Sequence, residues 1–160
     1  MRRPLALMTA LALVVGIGAG TAAIATSKSS SPAVKTRHTA LGTILVDAKG
    51  RTLYLFEKDT KNKSKCSGQC AVNWPPALAS GHPTAGGGAA TSKLATTKRS
   101  DGKTQLTYAG HPLYRFVADQ NKPGSTKGEG IDAFGAEWYV VGTSGKKIEK
   151  ASGSGGPSGY

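Results

Sequence analysis

The residue types best suited to chemistry in this chain recur as a pair. Tyr54 is followed five residues later by Asp59, and Tyr114 by Asp119, with Phe56 and Phe116 lying between. A phenol and a carboxylate brought together could share a proton or face a ligand jointly. Along an extended strand, however, five residues span roughly 17 Å and end on the opposite face. The two groups can meet only where the chain turns back. The simpler expectation is structural: each Asp ends its strand and accepts backbone N–H bonds from the loop that follows, Asp59-Thr60-Lys61-Asn62 and Asp119-Gln120-Asn121-Lys122.

The remaining candidates offer less. Cys66 and Cys70 (CSGQC) enclose three residues, and two cysteines in an exported chain pair with each other most simply. A redox dithiol favours two intervening residues, and a zinc site needs more ligands than this neighbourhood holds. The histidines His38, His82 and His111 lie far apart, and none has a second ligand at metal spacing. Serines fall in low-complexity stretches without a nucleophile turn, and the glycines around Lys127 and Glu129 lack the ending of a phosphate loop. No catalytic constellation, metal site or cofactor is implied.

Stepping outward, an offset of 60 residues brings two parts of the chain into register. Gly50-Arg51-Thr52-Leu53-Tyr54-Leu55-Phe56 lies over Gly110-His111-Pro112-Leu113-Tyr114-Arg115-Phe116, and Asp59 over Asp119. With a gap of four residues, Trp74 meets Trp138. Each copy predicts a β-hairpin: Thr43–Asp47 with Arg51–Glu57, and Lys103–Tyr108 with His111–Val117. Leu94–Arg99 and Trp138–Thr143 add strands, Ser64–Trp74 allows one helical turn that Pro75 and Pro76 stop, and Pro123–Gly135 reads as a long ordered loop. Within the motif strand Tyr54 and Phe56 share one face and Leu53 and Leu55 the other, so it should be central and covered on both sides. The expected fold is all-β or β-dominated. It would be an antiparallel sheet or small sandwich built from two hairpin-containing repeats, about 41–78 and 91–143, with short helical insertions.

These residues resemble the bacterial secreted or lipoprotein repeats of unknown function that carry a Tyr-x4-Asp motif. Tyr54 to Asp59 and Tyr114 to Asp119 match it twice, and CSGQCAVNWPP and WYVVG resemble its flanks, over Leu41 to about Gly142. The resemblance implies tandem repeats, export and often a lipid anchor, and it brings no catalytic residues. The first cysteine, Cys66, lies far beyond any N-terminal apolar run, so acylation is not expected.

The N-terminus supports export. Arg2 and Arg3 precede an apolar run from Leu5 to Ile17, and Ala23-Ile24-Ala25 fits a signal-peptidase site, so 1–25 reads as a signal peptide cleaved after Ala25. The alternative is an uncleaved anchor, since Leu5 to Ala25 gives 21 residues without charge. Residues 26–38 read as a disordered spacer, 39–150 as one β-rich domain and 151–160 as a flexible tail. The formal charge of +12 becomes +10 once Arg2 and Arg3 are removed. That charge suits anionic envelope components, phospholipid or wall polymer. Nucleic acid is not expected, because no stacking aromatics interleave Lys58, Lys61, Lys63 and Lys65. Together these features suggest an exported, non-enzymatic binding or structural module carried by Tyr54, Phe56, Asp59, Trp74, Tyr114, Phe116, Asp119 and Trp138. The alternative is an exported redox or cofactor- or metal-binding protein.

Overall fold

The computed structural model describes residues 33–149. The expected signal peptide, most of the expected spacer and the expected 151–160 tail lie outside the described residues.

In chain order the first copy holds strands β1 (Val34–Thr39), β2 (Gly42–Asp47) and β3 (Tyr54–Phe56), then a short helix α1 (Gln69–Asn73). The second copy holds β4 (Leu94–Lys98), β5 (Thr104–Tyr108) and β6 (His111–Pro112). It closes with β7 (Ile131–Ala133), β8 (Ala136–Val141) and β9 (Lys147–Ile148). The strand ladders are antiparallel: β1 with β2, β4 with β5 and β5 with β6, and β3 with β8, which also carries β7 and β9. The fold is β-dominated and built from two copies of one plan.

The two hairpins correspond, β1–β2 in the first copy and β4–β5 in the second. Each is followed by a tight turn whose glycine, Gly50 or Gly110, adopts φ of 81° or 89°. An L side chain rarely takes that conformation, which is why the glycine is retained in both copies. The chain leaving each turn first pairs with its own hairpin, through Leu53 N–H to Leu45 O at 3.0 Å and Leu113 N–H to Leu106 O at 2.9 Å. It then crosses to the other copy.

Alternation decides what each face buries. Tyr54, Phe56, Trp138 and Val140 enter one core together with Ile44, Val46 and Trp74. Leu53, Leu55, Leu113 and Val141 enter a second core with Leu45, Leu106 and Tyr108. The motif strand is therefore central, with one core on either side, as its two apolar faces require.

Three expectations need correction. Residues 34–38 are not spacer: β1 pairs with β2 along its whole length, and Val34 is fully buried. This strand reads as solvent-exposed coil because it lies at a sheet edge, where Lys35, Arg37 and His38 deter further pairing while Val34 alone enters the core. The Pro123–Gly135 segment is not all loop, since β7 forms a hairpin with β8 through Phe134 and Gly135. The strand expected over His111–Val117 ends early, and Val117–Asp119 is a 3-10 turn in which Gln120 N–H closes on Val117 O at 3.0 Å. The helical turn falls where it was expected, at α1, with Pro75 and Pro76 just beyond its end.

Candidate functional site

The two motif tyrosines meet at the junction of the copies. Their backbones exchange both hydrogen bonds, Tyr54 N–H to Tyr114 O and Tyr114 N–H to Tyr54 O, each 2.9 Å. This is the closed pairing of an antiparallel ladder, and it sits where a pseudo-twofold axis would relate the repeats. Side chains then reach across the same axis. The Tyr54 hydroxyl donates to Asp119 Oδ2 at 2.7 Å, and the Tyr114 hydroxyl donates to Asp59 Oδ2 at 2.7 Å. Each tyrosine takes the aspartate of the other copy. The chain has no need to turn back on itself, because the partner repeat delivers the carboxylate.

Each aspartate also fulfils its local role. Asp59 Oδ1 accepts the Lys65 N–H at 2.6 Å, and Asp119 Oδ1 accepts the Lys127 N–H at 3.0 Å and the Ser125 hydroxyl at 2.7 Å. The two sites differ in detail: Ser64 Oγ joins the Tyr114 hydroxyl at 2.7 Å, while the Tyr54 oxygen accepts the Gly128 N–H at 3.3 Å. Gly128 is close-packed here. A Cβ at that position would lie 2.8 Å from both Trp74 Cη2 and Tyr54 Cε1.

The aromatic residues repeat the exchange. Phe56 stacks on Trp138 at 4.0 Å, Trp138 on Trp74 at 4.0 Å, and Trp74 on Phe116 at 4.1 Å. The result is a column of four rings, Phe56–Trp138–Trp74–Phe116, that alternates between the copies. Tyr54 meets Trp74 edge-on at 5.4 Å and Tyr114 meets Trp138 edge-on at 5.1 Å, which clamps the column from both sides. Such ring pairs contribute about 0.5–1.5 kcal/mol each beyond their burial. Trp74, Trp138, Tyr54 and Tyr114 are essentially inaccessible.

Electrostatics follow from this burial. Burial, followed by the bond to Asp119, pushes the Tyr54 phenol well above its ordinary value. Burial and the Asp59 charge raise Tyr114 in the same direction. Both phenols therefore remain protonated donors. Burial also pushes the Asp59 carboxyl up to about 6, against the opposing effect of its bonds to Tyr114 and Lys65 and the nearby Arg99 charge. This arrangement ties two repeats together through largely buried groups that satisfy one another.

Cys66 and Cys70 form the expected disulfide, with Cα atoms 5.3 Å apart, and both are buried beside the ring column. A residue that sequence reasoning missed fixes this loop. Arg99 is 7% exposed. It donates to Cys66 O at 2.7 Å, Ser64 Oγ at 2.9 Å and Gln105 Oε1 at 2.7 Å. Gln105 in turn donates to Leu113 O at 2.8 Å. The 60-residue offset places Thr39 and Leu45 at the corresponding positions of the first copy, so the repeat comparison gave no hint of this network. The lysines of the expected basic loop, Lys58, Lys61, Lys63 and Lys65, are all exposed. Among the described residues no cluster of three or more His, Cys, Asp or Glu is placed to hold a metal ion. No helix among them is long and apolar enough to cross a membrane.

The chain matches no curated protein and no solved structure. Residues 35–78 and 95–142, together more than half of the chain, do match a family described as a secreted repeat of unknown function. Each matched segment covers nearly all of one structural copy, from its edge strand through its motif tyrosine and aspartate. The chain thus belongs to the family of secreted repeats of unknown function, as a member whose two repeats interlock through exchanged aspartates and one shared column of rings.

Proposed function

We propose that this exported protein is a non-enzymatic binding or structural module of the cell envelope, whose cationic exterior engages anionic components, phospholipid headgroups or wall polymer. One observation carries the reading: the polar groups of the shared motif, with Tyr54, Tyr114 and Asp119 buried and Asp59 half-buried, are satisfied by one another. They are thereby occupied in joining the repeats, which leaves contact with the surroundings to the exterior. There Lys58, Lys61, Lys63, Lys65, Lys98, Lys103, Lys122 and Lys127 are exposed. A surface of that sign attracts anionic partners over about a Debye length. Cleavage after Ala25 belongs to the same proposal, and N-terminal sequencing of the exported protein tests it.

Sedimentation of the mature protein with phosphatidylglycerol vesicles, and with phosphatidylcholine vesicles as the neutral control, tests the binding. Retention on the anionic vesicles should fall steeply as salt rises. Retention that ignores salt, or its absence at low salt, would refute the proposal.

A further inference from the structure

Each copy builds a cavity in the corresponding place, so the duplication supplies an internal control. The first cavity, about 390 Å³, is lined by Lys49, Arg51, His82 and Arg115 together with a single carboxylate, Asp47. The second, about 360 Å³, is lined by His111, Leu55, Lys146 and Lys147 with Glu57 and Asp59. The 60-residue offset places Arg51 over His111 and Leu55 over Arg115, and the offset that pairs the tryptophans places His82 over Lys146. One fold position thus holds leucine in one copy and arginine in the other. Leu55 there is 3% exposed and packs in the second core. Packing alone asks for no guanidinium at this place.

Nor is Arg115 bound up as a structural arginine would be. Among the described residues it forms no ion pair, and its Nε is buried without a hydrogen-bond partner. Its one side-chain bond runs from Nη2 to Pro76 O at 3.3 Å. Arg51, by contrast, holds Asp47 Oδ2 through Nε at 2.7 Å and Nη2 at 2.6 Å, and Asn121 Oδ1 through Nη1 at 3.0 Å. Burial and the Arg51 charge both act against the charged form of Arg115, and Asp47 offsets only part of this. The only carboxylate among the described residues that line the cavity is therefore already engaged by Arg51.

Among the described residues lining this cavity, Lys49, Arg51 and Arg115 against Asp47 give a formal charge of +2. A phosphate monoester carries about −1.5 to −2 at neutral pH, and guanidinium forks match its oxygens in geometry. Beside the cations, Ala77, Leu78 and Leu106 give the cavity an apolar wall. We infer that this cavity binds a phosphate group carried on an apolar substituent, with Arg115 as the anchoring cation. The inference deepens the envelope-binding reading and rests on it for the source of such a group.

Calorimetric titration of the mature protein with phenyl phosphate tests this, with inorganic phosphate and phenol as comparisons. Phenyl phosphate should bind more tightly than either. Arg115→Leu, which installs the residue of the sister copy, should weaken it about tenfold or more, as loss of a charge-assisted anchor implies. A thermal melt checks that the variant folds, and Arg115→Gln serves where it does not. Lys35→Gln, outside the cavity and outside the cationic exterior named above, should bind phenyl phosphate like the wild type. Absence of binding to the wild type, or binding by the Arg115 variants equal to that of the wild type, overturns the inference. Parallel sedimentation with phosphatidic acid vesicles separates the sources. Loss of retention in the Arg115 variants supports a lipid-borne phosphate, and unchanged retention with lost phenyl phosphate binding supports a soluble one. Salt-sensitive retention without phenyl phosphate binding would refute the cavity site while sparing the broader reading. Phenyl phosphate binding without vesicle retention would do the reverse.

Discussion

Tyr54→Phe isolates the exchanged hydrogen bond, because it deletes one oxygen and keeps the ring in the column. In the wild type that oxygen donates to Asp119 at 2.7 Å and accepts the Gly128 N–H at 3.3 Å. Tyr54 is fully buried and Asp119 is 5% exposed, so water cannot replace what is lost. A hydrogen bond to a charged group contributes about 1.5–3 kcal/mol, and leaving its partner buried and underbonded keeps the cost near the upper end. We expect Tyr54→Phe to destabilise by about 2–3 kcal/mol. Tyr114→Phe should cost less, about 1–2 kcal/mol, because Asp59 is only half-buried and can turn to water. Tyr54→Ala loses the ring as well and should cost about 3 kcal/mol or more.

Urea unfolding of the oxidised mature protein, followed by the fluorescence of Trp74 and Trp138, measures these values. A double-mutant cycle then asks which aspartate the tyrosine senses. Tyr54→Phe combined with Asp119→Asn should show a coupling of about 1 kcal/mol or more, whereas Tyr54→Phe with Asp59→Asn should be additive within about 0.5 kcal/mol. Coupling of Tyr54 to Asp59 instead, or a Tyr54→Phe cost below about 0.5 kcal/mol, would refute the exchange between repeats.

Three further outcomes follow from the same core. Gly128→Ala drives a methyl to 2.8 Å from two rings, so it should cost about 2–3 kcal/mol and weaken the near-ultraviolet circular dichroism of the column; wild-type stability would show that the rings yield freely. Asp59 has a carboxyl raised from its ordinary 3.8 to about 6, so its neutral form favours the folded state. That contribution is complete below about pH 4 and is lost as pH rises through about 6. Discounted for partial exposure it amounts to about 1–2 kcal/mol. The melting temperature should decline between pH 4 and 6, and Asp59→Asn should remove the decline; equal profiles for both proteins would contradict it. Replacing Cys66 and Cys70 by Ala opens a short loop and should cost about 2 kcal/mol in the chain-entropy model, measured by urea unfolding, with no effect counting against it.

Local features were legible in the sequence wherever a single residue's surroundings are set by its own strand. The alternation of Leu53, Tyr54, Leu55 and Phe56 gave two covered faces, and the structure supplies a core to each. The disulfide and the helical turn before Pro75 were equally local. What escaped depends on partners far away in sequence. Tyr54 and Asp119 are 65 residues apart, and no spacing rule within one copy could have joined them. Val34–Thr39 escaped for a different reason: one buried valine followed by five polar residues leaves no apolar alternation to detect. The signal was present in the duplication itself, since Leu94–Lys98 maps onto this segment at the same 60-residue offset. Arg99 escaped because its role belongs to one copy alone.

The divergence between the copies is as informative as their agreement. Residues that cross the pseudo-twofold axis are kept in both, because changing a tyrosine, its aspartate or a stacked ring would leave a buried group without its partner in the other repeat. Positions outside these reciprocal contacts carry no such constraint, and there Leu55 is matched by Arg115, Arg51 by His111 and Asp47 by Thr107. Interlocking thus frees these positions: with the column secured by reciprocal contacts, the second copy carries a guanidinium, Arg115, that faces the cavity holding Arg51 of the first. The Arg115 guanidinium meets repulsion from Arg51 that Asp47 offsets in part, and a bound anion would offset more of it. The cation-rich cavity is therefore where recognition in this protein is most economically sought, and the tyrosine–aspartate motif is the frame that made it available.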